Sequence, residues 1–113
     1  MPDPVPADLR PLPFDDAAAS AAQAACHRAA ARIEDVRVHR SSCAAWARVE
    51  WRGPARAELD VELQRVDAAG ADLRARLLGL AGAIGATRDE VAARNRSRAA
   101  ARTQWLADQD AGG

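Results

Sequence analysis

The sequence contains no lysine and no tyrosine, and it has only one phenylalanine and three tryptophans among its 113 residues. Aromatic and β-branched residues are the usual material of β-sheets, so their scarcity beside 30 alanines predicts an all-α fold. Sixteen arginines balance sixteen acidic residues, and a net charge of zero argues against a nucleic-acid or membrane-surface partner. Residues 77–86 form the longest uncharged apolar run, about half of the ~20 residues that a membrane span needs.

Groups that could perform chemistry are also scarce. Cys26 and Cys43 would lie about 25 Å apart on one helix, too far for an intrachain disulfide. Cys26 and His27 would lie about 20 Å from His39 and Cys43 along a straight helix, so we predict no metal site and no cofactor. The sequence shows no Ser/His/Asp set and no glycine-rich phosphate loop, and we therefore expect a non-enzymatic protein.

Five of the six prolines lie in the first 14 residues, which predicts a flexible or extended arm over 1–14. Acids and prolines there replace the basic and apolar stretches of a signal peptide, so we expect synthesis in the cytoplasm without classical export. The paired acids Asp15 and Asp16 favour a helix start. We predict helix 1 over about 15–50, a turn over 51–53, helix 2 over about 54–107 and a disordered tail over 108–113.

Both predicted helices carry small or apolar residues at alternating steps of three and four, which is typical of helices that pack in pairs. The series on helix 1 contains Ala22, Cys26, Ala29, Ile33, Val36, Arg40, Cys43 and Ala47. The series on helix 2 contains Leu59, Leu63, Val66, Gly70, Leu73, Leu77, Leu80, Ile84, Thr87 and Val91.

These two series predict an antiparallel hairpin that places Ile33 beside Leu73 and Ala22 beside Ile84. The segment 77–86 is apolar on every side, and helix 1 alone cannot cover it. We therefore predict that two hairpins pair into a four-helix bundle, as a homodimer or a heterodimer. The predicted hairpin and dimer interface consists of Ile33, Val36, Leu59, Leu63, Val66, Leu73, Leu77, Leu80 and Ile84.

The predicted turn has the sequence Trp51-Arg52-Gly53-Pro54, in which Gly53 permits a positive φ and Pro54 suits the first turn of a helix. We expect the Trp51 ring to pack against the base of the hairpin. The Trp-x-Gly signature near the middle of a short helical chain resembles the WXG family, small helical hairpins of the type VII (ESX) secretion system of actinobacteria and related Gram-positive bacteria. The resemblance covers roughly residues 15–105 and implies pairing into dimers.

If the resemblance holds, the chain is a type VII secretion substrate or the partner of one. Export in that family uses a C-terminal Tyr-x-x-x-Asp/Glu signal on one member of each pair, and this chain has no tyrosine. It would then travel with a signal-bearing partner or stay inside the cell. The alternative function is a cytoplasmic helical adaptor that dimerises through the same residues without any link to export.

The end of helix 2 is basic. Arg94, Arg98 and Arg102 recur at i, i+4 and i+8, and Trp105 follows them. Because helix 1 is shorter than helix 2, we expect residues 91–107 to project beyond the hairpin as a solvated arm or as a docking element for an acidic surface.

Overall fold

The computed structural model describes residues 3–112, and all regular structure there is helical. A 3₁₀ turn at Ala7–Leu9 precedes two long helices, α1 over Asp16–Glu50 and α2 over Pro54–Gly112. An all-α fold with two long helices is thus confirmed. The molecule measures 90 × 16 × 16 Å, and its radius of gyration of 26.1 Å is about twice the ~13 Å of a compact domain of this length.

Local chemistry explains where the helices begin and end. Asp15 caps α1 by accepting a hydrogen bond from the Ala18 amide at 2.9 Å. At the other end, the amide of Trp51 donates to the Ala47 carbonyl at 3.1 Å, and the chain then becomes extended. Gly53 has the expected positive φ, +89°, and Pro54 opens α2, where the missing amide of proline costs nothing.

The two helices form an antiparallel hairpin that ion pairs hold along its length. Near the connection, Arg48 Nε donates to Asp60 Oδ1 at 2.8 Å. At the far end, Arg88 donates through Nε and Nη2 to both carboxylate oxygens of Asp16, at 2.8 and 3.1 Å. Helix α2 continues beyond this point, because α1 begins only at Asp16.

The seam between the helices differs from the predicted one by a rotation of each helix. One half of each predicted series faces the other helix, including Cys26, Ile33, Leu77 and Ile84. The other half is displaced by one position. On α1, Ala30 and Ala44 are buried instead of Ala29 and Cys43; on α2, Asp67, Arg74 and Ala81 contact α1, whereas Val66, Leu73 and Leu80 are exposed.

Only small side chains are fully buried in the seam. The buried hydrophobic residues of the described chain are Cys26, Ala30, Ala44 and Ala81. Gly70 admits the side chains of Ile33 and Arg37, and a Cβ at this position would lie 3.3 Å from Arg37 Cδ. Small residues allow two helices to approach closely, but they bury little apolar area. Larger side chains are therefore left at the edges of the seam.

The arm and the tail differ from the sequence predictions, which can be compared over 3–14 and 108–112 because residues 1, 2 and 113 lie outside the described residues. The arm is bound to α2. Its 3₁₀ turn contacts α2, and the Leu12 amide donates to Asn95 Oδ1 at 2.7 Å. Residues 108–112 continue α2 rather than forming a disordered tail. Residues 91–107 are consequently part covered by the arm and do not project as a bare helix.

We expect Gly79→Ala and Gly82→Ala each to stabilise the protein by about 0.5–1 kcal/mol, since alanine favours the helix. No atom outside the local helix lies within 4 Å of a Cβ at either position. Gly85→Ala is the matched control, because its Cβ would lie 2.7 Å from Gln23 Nε2 and would displace the amide that donates to the Ala81 carbonyl. Thermal unfolding followed by circular dichroism measures all three; equal gains would contradict the close approach at Gly85.

Candidate interaction surface

The large residues predicted to join helices lie at the edges of the seam. Ile33, Leu59, Leu63, Leu77 and Ile84 are half-buried. The remaining four predicted interface residues are exposed, with exposed fractions of 47% for Val36, 43% for Val66, 50% for Leu73 and 52% for Leu80. The rotation of the helices accounts for this, because each of these four residues precedes a seam position by one residue.

These edge residues gather on one side of the hairpin. One shallow groove is lined by Ala29, Ile33, Val36, Leu73 and Leu77, with the side chains of Arg32, Arg37 and Arg40 also contributing. A second groove, nearer the end of α1, is lined by Phe14, Ala19, Ala22, Leu80, Ala83, Ile84 and Thr87. We call the two grooves together the apolar face. Most of its lining is hydrocarbon, and it places Ile33 with Leu73 and Ala22 with Ile84, as the predicted register requires.

The other side of the seam is polar, and we call it the charged face. A groove there is lined by Ser41, Arg48, Gln64 and Asp67, together with Arg37, Arg40, Ala44 and Leu63. Arg37 donates to both oxygens of Asp67, at 2.9 and 3.1 Å, and its Nη1 donates to Glu34 at 2.9 Å. The hairpin is thus two-sided, with ion pairs along one edge of the seam and aliphatic side chains along the other.

The ion pairs lower the pKa of two carboxyl groups. The hydrogen bond from Arg88 holds the pKa of Asp16 below its ordinary value, and that from Arg37 does the same for the pKa of Asp67. Both carboxylates are largely exposed, so each pair adds modest stability and salt screens it. Their geometric role is larger, because bidentate pairs hold the rotation of one helix against the other.

The connection exposes aromatic surface. Trp51 is 50% exposed, so its ring does not pack fully against the base of the hairpin as we expected. Trp46, one turn earlier on α1, is 81% exposed. Arg52 and Gly53 are exposed as well, and Pro54 begins α2. The residues at this tip therefore contribute more surface than core.

The C-terminal arginines do not form one free stripe. Arg98 Nη1 donates to the Arg10 carbonyl at 3.0 Å, and Arg102 Nη1 donates to the Leu9 carbonyl at 2.8 Å. Arg94 instead pairs with Glu90 at 2.9 Å on the same helix. Trp105 is half-buried. Two of the four predicted docking residues thus bind the chain's own N-terminal arm.

The cysteines and histidines of the described residues do not assemble into a reactive group. Cys26 is buried in the seam, and Cys43 is exposed with its Sγ 3.6 Å from His39 Nε2. Within residues 3–112, no group of three or more potential ligands lies close enough to hold a metal ion. Neither described helix contains a stretch long and apolar enough to cross a bilayer.

Sequence reasoning missed Asn95 and Phe14. Asn95 accepts a hydrogen bond from an amide 83 residues earlier, and the local sequence does not identify that distant partner. A signal for Asn95 did exist, since it lies three residues before Arg98 on the same side of α2. Phe14 lies in the predicted proline-rich arm, although it is the only phenylalanine of the chain and directly precedes the helix cap.

The chain matches no known family model, no curated protein and no solved structure. The geometry of the hairpin and the residues of its connection are therefore the features that bear on its function.

We expect stability to fall in acid because of Asp16 and Asp67. A pKa lowered on folding means that the stabilisation is complete above the unfolded pKa, about 4, and is lost as the pH falls through the lower folded pKa. The melting temperature of an Asp16→Asn/Asp67→Asn variant should lie below that of the wild type at neutral pH, and the difference should shrink below about pH 4. Asp35→Asn, at an exposed site outside the interhelix pairs, is the control; a constant difference down to about pH 2 would contradict the assignment.

Proposed function

We propose that this protein is a non-enzymatic helical hairpin that pairs through its apolar face with another helical hairpin, forming a four-helix bundle. The observation that carries the proposal is the half-exposed row of Val36, Leu73 and Leu80 along one side of a helix pair whose buried hydrophobic residues, among those described, are all small. Exposed apolar surface of this kind is costly in water and marks interaction sites.

The total surface supports a partner. The chain exposes 8339 Å², whereas a compact 12.0 kDa monomer exposes ~6,000 Å². The excess of about 2,300 Å² on one chain is larger than the ~600–1,000 Å² that each partner typically contributes to a stable interface. A two-helix rod has no third layer with which to cover this surface, and a second hairpin has the right length and shape.

The two-sidedness of the hairpin favours one orientation of the partner. Covering the charged face would desolvate the pair of Arg37 and Asp67, a cost that the attraction within the pair often does not repay. Covering the apolar face removes hydrocarbon from water and, although Arg37 borders both faces, leaves Asp67 and Arg48 solvated because they line only the charged face. A partner hairpin therefore gains most on the apolar face.

We propose further that the hairpin acts as a type VII secretion substrate or as the partner of one. Three features support this proposal: two long antiparallel helices, a connection of Trp51-Arg52-Gly53, and aromatic surface at that connection. Together they resemble the WXG family. Residues 1–113 contain no tyrosine, so no Tyr-x-x-x-Asp/Glu motif lies among them.

The second candidate is a helical adaptor that dimerises through the same apolar face and has no link to export. The two-sided seam supports both candidates equally, since it concerns pairing alone. Only the connection residues favour the secretion role.

Pairing through the apolar face predicts that Leu73→Asp and Leu80→Asp each weaken association by more than about tenfold, because a charge would be buried without a partner. Both sites are half exposed within the hairpin, so helix content should persist. Val38→Asp is the control, as Val38 is 59% exposed and two residues from Val36, hence on the opposite side of α1. Sedimentation velocity measures association; if Val38→Asp were as disruptive as Leu73→Asp, the interface would lie elsewhere.

The secretion role predicts that the chain reaches the culture medium of its own cells and that export stops when the type VII ATPase is deleted. A Trp51→Ala/Gly53→Ala variant should remain paired but lose export, whereas Trp46→Ala, at the other exposed tryptophan, should be exported. Immunoblots of cells and medium measure this. A chain retained in cells with an intact ATPase and a signal-bearing partner would favour the adaptor.

A further inference from the structure

Three side chains of α2 hold the N-terminal arm by forming hydrogen bonds with its backbone. Asn95 accepts from the Leu12 amide, Arg98 donates to the carbonyls of Arg10 and Ala7, and Arg102 donates to that of Leu9. Prolines keep the arm out of α-helices and sheets, and apart from the bonds of the 3₁₀ turn at Ala7–Leu9 its carbonyls, such as those of Leu9 and Arg10, are free to accept these bonds. The arm thereby covers the part of α2 that α1 does not reach.

Phe14 lies between two anchored points of the chain. On its N-terminal side the Leu12 amide binds Asn95 at 2.7 Å, and on its C-terminal side Asp15 caps α1. With so little free chain on either side, docking of the arm fixes where the Phe14 ring lies. That ring lines the groove that contains Ala22, Leu80 and Ile84, and it is 37% exposed.

We propose that Phe14 is an aromatic anchor of the pairing surface and that Asn95, Arg98 and Arg102 position it by docking the arm. Aromatic side chains in partly formed pockets supply a large share of the binding energy in many interfaces. Without Phe14, the groove around Leu80 and Ile84 has alanines and a threonine as its other walls. The inference rests on the proposed pairing through the apolar face.

The partner that we assign to this surface is a second copy of the chain. Its formal net charge of zero means that two copies do not repel each other at long range. The excess surface of one chain, about 2,300 Å², is more than the ~600–1,000 Å² that each subunit of a stable dimer of identical hairpins needs to bury. The purified chain is therefore the right material for the test.

The experiment compares full-length variants by sedimentation equilibrium for the dimer constant and by hydrogen exchange for the Leu12 amide. Phe14→Ala should weaken the dimer at least tenfold, and Phe14→Leu should weaken it less. The Arg98→Ala/Arg102→Ala variant should lose protection of the Leu12 amide and weaken the dimer to a similar extent. Adding Phe14→Ala to that variant should cause little further loss, because both changes remove the same anchor.

Arg96→Ala is the matched control, since Arg96 is an exposed arginine of the same segment, and it should alter neither readout. If Leu80→Asp separates the subunits but Phe14→Ala does not, the anchor is wrong while the proposed pairing stands. If the arginine variant frees the Leu12 amide without changing the dimer constant, the arm does not position Phe14. A purified wild-type chain that stays monomeric at micromolar concentration would overturn pairing with a second copy, and Leu12 protection would then still report on the arm alone.

Discussion

The close approach of two helices on small side chains is the constraint on which the rest of this structure depends. Ala30, Ala44 and Ala81 are buried in the seam, and Gly70 and Gly85 let side chains of α1 lie against the backbone of α2. A seam this narrow cannot enclose larger side chains fully, and Ile33, Leu77 and Ile84 are only half-buried in it. The larger residues therefore stand beside it, where a hairpin alone can only half cover them.

The same constraint separates the two faces of the hairpin. Each helix has one row of residues on either side of the seam, and the rotation of the helices decides which row faces which way. Here the ion pairs of Arg37 and Arg48 with α2 occupy one edge, and Val36, Leu73 and Leu80 occupy the other. The ion pairs of the charged face hold the rotation of one helix against the other, and the apolar face stays partly exposed in the hairpin.

Helix α2 is the element that connects the others, because both α1 and the N-terminal arm pack along it. Its contacting positions continue in steps of three and four from Asp60 to Trp105. Apolar and ionic side chains meet α1 over the first part, and Asn95, Arg98 and Arg102 meet the arm over the last. A proline-rich arm presents carbonyls rather than a helical face, so polar donors suit this end better than leucines would.

The sequence by itself determined the elements. Alanine and the lack of strand-forming residues dictate helices, Asp15 and the Gly53-Pro54 pair dictate where they begin and turn, and the steps of three and four dictate that they pack. Half of the seam, including Cys26, Ile33, Leu77 and Ile84, follows from the same pattern. Only the tertiary structure decided the other half, because a three-four pattern fits two adjacent rows, and the choice between Leu80 and Ala81 depends on how closely the helices approach. It also decided the place of the arm, since the bond between Leu12 and Asn95 joins residues 83 positions apart, and local sequence carries no record of which distant acceptor the amide of an extended arm will meet.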